Sequence, residues 1–339
     1  MQEARLWKPL KNGSVQCRLC NHYCAIKPGE RGKCGVRENN DGTLYSLNYG
    51  KIAAINLDPV EKKPLYHFQP GTRTFSFATM GCNLRCTFCQ NWSLSQSPSE
   101  SRRIDGRDAT PEQLVEEAVR VKAASISYTY SEPTIFFELM QDTAKLARKE
   151  GLKNIMVSNG FMSRECLDEL APDIDAINVD LKCFTEEFYH EISGAHLKPV
   201  LENLKYIKHT LGWWLEVTTL LIPGKNDSPE ELDELTNFLA KEIGPDTPWH
   251  ISRFHPDYKM NNVPVTGSDS LTAAYRMGRE KGLKYVYIGN MPGLDMQHTI
   301  CPGCGKEVIN RSGFTSTRPS VTKGQCDFCG ETIHGIEMG

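Results

Sequence analysis

The chain has 339 residues, 39% hydrophobic and 24% charged, with a formal net charge of −3 at pH 7. That composition is ordinary for a soluble globular chain long enough to bury a core without disulfide staples, and the charge argues against a generally basic nucleic-acid binder. No run approaches the roughly 18 apolar residues of a membrane span, and Met1-Gln2-Glu3-Ala4-Arg5 lacks the apolar stretch of a signal peptide. The informative excess is 13 cysteines, eleven of them in tight groups of four, three and four. In a cytosolic chain such groups point to metal or redox chemistry rather than to disulfides.

In chain order, the first group is Cys17, Cys20, Cys24 and Cys34, spaced C-x2-C-x3-C-x9-C. Four thiolates make a closed site for zinc or for an auxiliary 4Fe–4S cluster, and spacing does not separate the two. His22 could stand in for one ligand. Residues 1–73 hold 12 Lys/Arg against 6 Asp/Glu. This suits a solvated or partner-facing surface, with a phosphate or RNA site as the sharper alternative. Strand-like pieces at Leu44–Asn48 and Ile52–Leu57 complete an N-terminal metal-binding and β element over 1–73.

Residues 74–295 alternate strand and helix signals. Strands are predicted at Thr74–Met80, Ser125–Tyr130, Asn154–Asn159, Ala176–Leu181, Trp214–Ile222, Trp249–Phe254 and Lys284–Ile288. Thr110-Pro111-Glu112-Gln113 and Ser228-Pro229-Glu230-Glu231 are helix starts, while Gly151, Gly244 and Gly282 fit helix stops. Alternation implies parallel strands with crossover helices, in six or seven units. That is short of a complete eight-unit barrel, so the fold class expected is α/β, a partial or nearly closed (β/α) barrel, with a doubly wound open sheet as the alternative. Cys166 and Cys183 stand alone and read as small core residues.

Directly after the first strong strand comes Cys82-Asn83-Leu84-Arg85-Cys86-Thr87-Phe88-Cys89, spaced C-x3-C-x2-C with aromatic Phe88 before the last cysteine. Three thiolates on one loop can hold three irons of a 4Fe–4S cluster and leave the fourth open, whereas a closed site would want four ligands. The later strand ends carry polar residues. Ser131-Glu132 follows the second strand, where Glu132 could simply be a helix N-terminal acid. Ser158-Asn159 ends the third strand and also reads as an ordinary strand-to-helix turn. Asp180 and Lys182 end the fourth on one face, since strand side chains repeat every two residues, and could form a surface ion pair. His255 follows the sixth strand and could be structural or exposed.

The last segment, 296–339, holds Cys301-x2-Cys304 and Cys326-x2-Cys329, with a short hairpin expected over Glu307–Phe314. Four thiolates with C-G turns read as a zinc ribbon, rubredoxin-type iron being the rival. Such ribbons can dock nucleic acid or protein, but 4 Lys/Arg against 4 Asp/Glu gives no support for nucleic acid.

The central cysteine motif with these strand ends resembles the radical S-adenosylmethionine (SAM) enzymes. The resemblance implies a 4Fe–4S cluster on Cys82, Cys86 and Cys89 whose open iron binds SAM, and a 5′-deoxyadenosyl radical that abstracts hydrogen from a substrate. It implies SAM-contacting roles for Phe88, Ser131, Glu132, Ser158, Asn159, Asp180, Lys182 and His255. Tyr130-Ser131-Glu132 departs from the family's Gly-Gly-Glu, so Glu132 carries over better than its neighbours. Asp180-Leu181-Lys182, Leu221-Ile222-Pro223-Gly224 and Phe254-His255-Pro256 resemble pyruvate formate-lyase activating enzymes. The leader from Cys17 to Arg37, Asp58–Phe68 and the C-terminal cysteines resemble the radical SAM member of the AmmeMemoRadiSam system. That likeness implies Memo-like and AMMECR-type partners; radical SAM chemistry implies an electron donor such as flavodoxin or ferredoxin, and the oxygen sensitivity of an exposed cluster implies a reducing cytoplasm. It does not supply the substrate. The alternatives are a glycyl-radical activating enzyme and, from another class, a zinc-ribbon binding module on a non-catalytic barrel.

Overall fold

The structure is a computed structural model describing residues 1–291, 296–317 and 319–339. The expected end of the middle segment, 292–295, lies outside the described residues. Eight strands form the main sheet: β1 (Ala54–Pro59), β2 (Arg73–Ala78), β3 (Ser125–Tyr128), β4 (Lys153–Ser158), β5 (Ala176–Asp180), β6 (Trp214–Leu221), β7 (Trp249–Arg253) and β8 (Val286–Gly289). They lie side by side in chain order; β2 to β8 are parallel, and β1 runs antiparallel on the edge of β2. All seven predicted strands are therefore present, as an α/β fold with a large parallel sheet.

Helices α1 (Pro111–Arg120), α2 (Phe137–Lys149), α3 (Arg164–Leu170), α4 (Leu197–Tyr206), α5 (Pro229–Phe238) and α6 (Ser268–Glu280) cross between the strands. The Thr110 hydroxyl accepts from Gln113 N and the Gln113 side chain accepts from Thr110 N, a capping box that fixes the start of α1. Ser228 caps α5 through Glu231 N at 3.2 Å. Among the described residues, no helix is long and apolar enough to cross a membrane.

One face of the sheet packs on the helices. The other is largely polar and is covered at the strand starts by the segment after β1. There Val60, Leu65 and Phe68 pack on Ile155, Ala176 and Trp214. The Glu216 carboxylate of β6 accepts from Tyr66 N and His67 N, and Asn178 of β5 donates to Pro64 O. Burying Phe68 alone is worth roughly 2–3 kcal/mol. This plug closes the strand-start end and leaves the strand-end side open.

The N-terminal residues form two small antiparallel sheets, Trp7–Pro9 with Val15–Cys17 and Ala25–Ile26, and Gln2–Glu3 with Thr43–Ser46 and Arg37–Asn40. In the C-terminal part, the expected hairpin over Glu307–Phe314 is corrected. Glu307–Ile309 pairs back onto Thr299–Ile300, and the tight hairpin is Arg311–Ser312 with Thr315–Ser316. Gly313 at φ +59° supplies the turn, at the far end of the expected span. Main-chain hydrogen bonds from Gln69 to Ile336 and from Ile336 to His67 tie this part to the plug.

Candidate functional site

A cavity of about 560 Å³ opens at the carboxyl ends of the strands, where open parallel sheets place ligands. The loop after β2 brings Cys82, Cys86 and Cys89 to its wall. Gly81 makes this possible. It sits at φ +116°, and a Cβ there would meet Val36 at 2.9 Å. The loop is then held from outside, as Arg85 N and Thr87 N donate to Ser193 O and Ile192 O.

The thiols lie among weak donors. Leu84 N and Asn159 Nδ2 approach Cys82 Sγ at 3.4 and 3.8 Å, and Ser95 Oγ lies 3.2 Å from Cys89 Sγ. Burial pushes the Cys82 and Cys86 thiols up, which favours the protonated thiol until a cation binds. Among the described residues no fourth cysteine and no histidine lines this cavity. Three sulfur donors with an open fourth position fit a cluster of cubane type better than a closed four-ligand ion.

Of the eight expected SAM contacts, seven line the same cavity: Phe88, Ser131, Glu132, Ser158, Asn159, Asp180 and Lys182. Glu132 is 3% exposed and accepts four hydrogen bonds: Thr134 N at 3.0, Thr134 Oγ1 at 2.6, Ser158 Oγ at 2.8 and Asn159 N at 2.8 Å. Burial raises its carboxyl above the usual range even against those donors. It thus joins the β3 and β4 ends and, through Asn159, reaches Cys82 and Asn83. Lys182 Nζ lies 3.0 Å from Asp180 Oδ2, and the pair faces the cavity as the two-residue period requires. Burial works against the charge on Lys182, but the Asp180 carboxylate holds its pKa above the ordinary value. Phe88 is buried, with Lys182 Nζ 5.8 Å from its ring centre. His255 is the exception: it is exposed and lines the adjoining cavity of about 880 Å³.

That second cavity shares Lys62, Gln90, Thr218, Ser252 and Asn290 with the first and extends to Arg311–Phe314 of the C-terminal part. Sequence reasoning left most of these residues unassigned. The available signal was the Asp58–Phe68 run. There Asp58 takes Lys62 at 3.0 Å, Lys63 at 2.6 Å and the Tyr130 hydroxyl, and Lys62 and Lys63 face the cluster cavity. Burial pushes Lys63 down to about 8.

The flanking cysteines differ from each other. Cys301, Cys304, Cys326 and Cys329 bring all their sulfurs within 4.8 Å of one another, with Cys301–Cys329 at 3.6 and Cys304–Cys326 at 3.9 Å. Tetrahedral metal–sulfur bonds of about 2.3 Å require a spacing of roughly 3.8 Å, so these residues fit a single ion, zinc or iron. Cys17, Cys20, Cys24 and Cys34 instead surround one small cavity together with Arg37 and Asn83. Cys166 and Cys183 are buried, as expected of core residues.

The family model for the Radical SAM superfamily matches residues 77–239. The chain is 45% identical over 335 residues to the uncharacterised protein MJ0808 of Methanocaldococcus jannaschii, covering 98% of this chain and 99% of that one. It is 26% identical to the pyruvate formate-lyase 1-activating enzyme of Escherichia coli, over 52% of this chain and 71% of that one. A putative glycyl-radical enzyme activating enzyme of M. jannaschii, MJ1632, is also 26% identical, over 61% of this chain and 76% of that one. Among solved structures, a radical SAM methyltransferase from Sphaerobacter thermophilus superposes with TM-score 0.52 at 16% identity, over 71% of each chain. At that identity the likeness speaks for the fold.

Proposed function

This chain belongs to the radical SAM superfamily, and on that premise we propose that it is an enzyme that reductively cleaves SAM at a 4Fe–4S cluster held by Cys82, Cys86 and Cys89. The cluster, when bound, supplies the electron that splits SAM into methionine and a 5′-deoxyadenosyl radical, which takes hydrogen from the substrate. The observation that carries the reading is the single cavity shared by three cysteines, Phe88 of their loop and six polar strand-end residues. Asp180 and Lys182 offer one acceptor and one cation to the ribose and carboxylate of SAM. Ser131, Ser158 and Asn159 offer polar atoms at the neighbouring strand ends, and Phe88 closes the loop side. Glu132 acts chiefly by fixing Ser158 and Asn159, since four protein donors hold its carboxylate, three on Oε1 and one on Oε2. His255 belongs to the wall of the adjoining cavity, on the substrate side.

Zinc in the C-terminal cysteines is structural in this reading, because its four-sulfur shell leaves no open position. An electron donor of the flavodoxin or ferredoxin class is required, Memo-like and AMMECR-type proteins are proposed partners, and a reducing cytoplasm suits an exposed cluster. Anaerobically reconstituted protein with SAM and dithionite should release 5′-deoxyadenosine, and Cys86→Ala should abolish the release. Equal release from that variant would reject the assignment. The similarity to activating enzymes favours one second reading, activation of a glycyl-radical protein. Only that activity leaves a glycyl doublet on a partner in electron paramagnetic resonance.

A further inference from the structure

We infer that Cys17, Cys20, Cys24 and Cys34 hold a second 4Fe–4S cluster, hydrogen-bonded by Arg37, rather than a zinc ion. The inference deepens the proposed function but rests on separate residues. The first observation is spacing. The C-terminal four bring every sulfur within 4.8 Å of the others, as a single ion demands, and they alone do so among the described residues. The N-terminal four line one cavity without closing to that distance, as do the three central cysteines. A cubane carries its cysteines on four separate irons and so holds them wider apart than one ion does.

The second observation is an incomplete set of buried hydrogen bonds. Arg37 is 1% exposed and lines the same cavity. Its Nη2 donates to both oxygens of Glu138 at 2.7 Å, whereas Nε and Nη1 are buried with no partner. Glu138 neutralises the guanidinium, so these N–H groups need an acceptor rather than a counter-charge. A buried donor left alone is destabilising, and sulfur acceptors in this cavity would satisfy both groups. The site also adjoins the first one: His22, between the second and third cysteines, contacts Asn83 O at 2.7 Å, next to Cys82.

The test is iron, zinc and acid-labile sulfide per chain after anaerobic reconstitution. Wild type should hold about eight sulfides, and both the Cys82→Ala/Cys86→Ala/Cys89→Ala and the Cys17→Ala/Cys34→Ala variants about four. Zinc without sulfide in the first variant overturns the inference, as does wild-type sulfide near four that survives in the second. Sulfide that survives in the first variant and vanishes in the second would instead reject the central cluster, so the two failures are distinguishable. Rubredoxin-type iron at the C-terminal cysteines contributes no sulfide. The pair Arg37→Gln/Glu138→Gln keeps the site neutral while weakening the donors. It should lower the reduction potential of the signal retained in the central-cysteine variant, and an unchanged potential would remove Arg37 from the site.

Discussion

Replacing Glu132 with glutamine keeps its shape but removes one acceptor. Oε1 accepts three hydrogen bonds and Oε2 accepts one, from Asn159 N at 2.8 Å. The least costly glutamine therefore keeps its oxygen at Oε1 and turns its amide nitrogen toward the Asn159 N–H. Two donors then face each other in a buried site. The loss is one charge-assisted hydrogen bond and one stranded donor, about 2–3 kcal/mol together. Asn159 also holds Asn83 Oδ1 at 2.8 Å and contacts Cys82, so the cysteine loop should shift with it. Equilibrium urea unfolding of Glu132→Gln should show that loss, and SAM cleavage should fall more steeply than stability alone explains. Thr134→Val, which removes only one of the three donors to Oε1, should cost about 1 kcal/mol and leave cleavage nearly intact. If Glu132→Gln matches wild type in both stability and cleavage, the carboxylate does not join the two strand ends and the reasoning fails.

Asp180→Asn should raise the KM for SAM roughly tenfold with a smaller effect on kcat, because it uncouples Lys182 from its partner without touching the cysteines; a pure kcat effect would contradict a binding role. Stripping metal from the C-terminal four by chelation, or Cys304→Ser, should expose residues 299–339 to limited proteolysis while β2 to β8 stay protected, since the small core of Val308, Ile309, Val321, Ile333 and Met338 includes Cys301 and Cys326, and the metal ties these to the exposed Cys304 and Cys329. His67 should make the protein acid-sensitive. Burial holds it neutral down to about 4 against an ordinary value of 6.5, with Nδ1 on His334 O at 2.6 Å and Nε2 on the Tyr287 hydroxyl at 2.5 Å. The unfolded chain gains a proton first, so stability present above pH 6.5 is lost as pH falls toward 4, by at most about 3 kcal/mol. His67→Gln should flatten that part of the stability profile, and an unchanged profile would exclude His67 as its source.

The parallel strands were legible because each is a short β-rich run between turn residues, and Thr110 and Ser228 announced their helices by capping chemistry. The cysteine loop and the Asp180–Lys182 pair were legible for a local reason, since three-cysteine spacing and a two-residue strand period need no tertiary knowledge. Three features depended on contacts far apart in sequence. The plug from Val60 to Phe68 is defined by Glu216 about 150 residues later. The Asp58–Lys63–Tyr130 group joins the edge strand to the end of β3. The approach of Arg311–Phe314 to the cavity wall depends on how the last segment docks. The hairpin was misplaced by a few residues because Gly313, rather than the Glu307–Phe314 span as a whole, sets the turn. His255 was assigned by resemblance to its strand end, and the backbone there leads it into the neighbouring cavity.

The most direct test of the central claim is electron–nuclear double resonance on the reduced protein with SAM labelled at the methionine nitrogen and carboxylate carbon. It should be run on the Cys17→Ala/Cys34→Ala background, so that only the central cluster contributes. The account predicts hyperfine coupling from both labels to the cluster, lost with Cys86→Ala. A reduced cluster on Cys82, Cys86 and Cys89 that shows no coupling to either label at saturating SAM would contradict it.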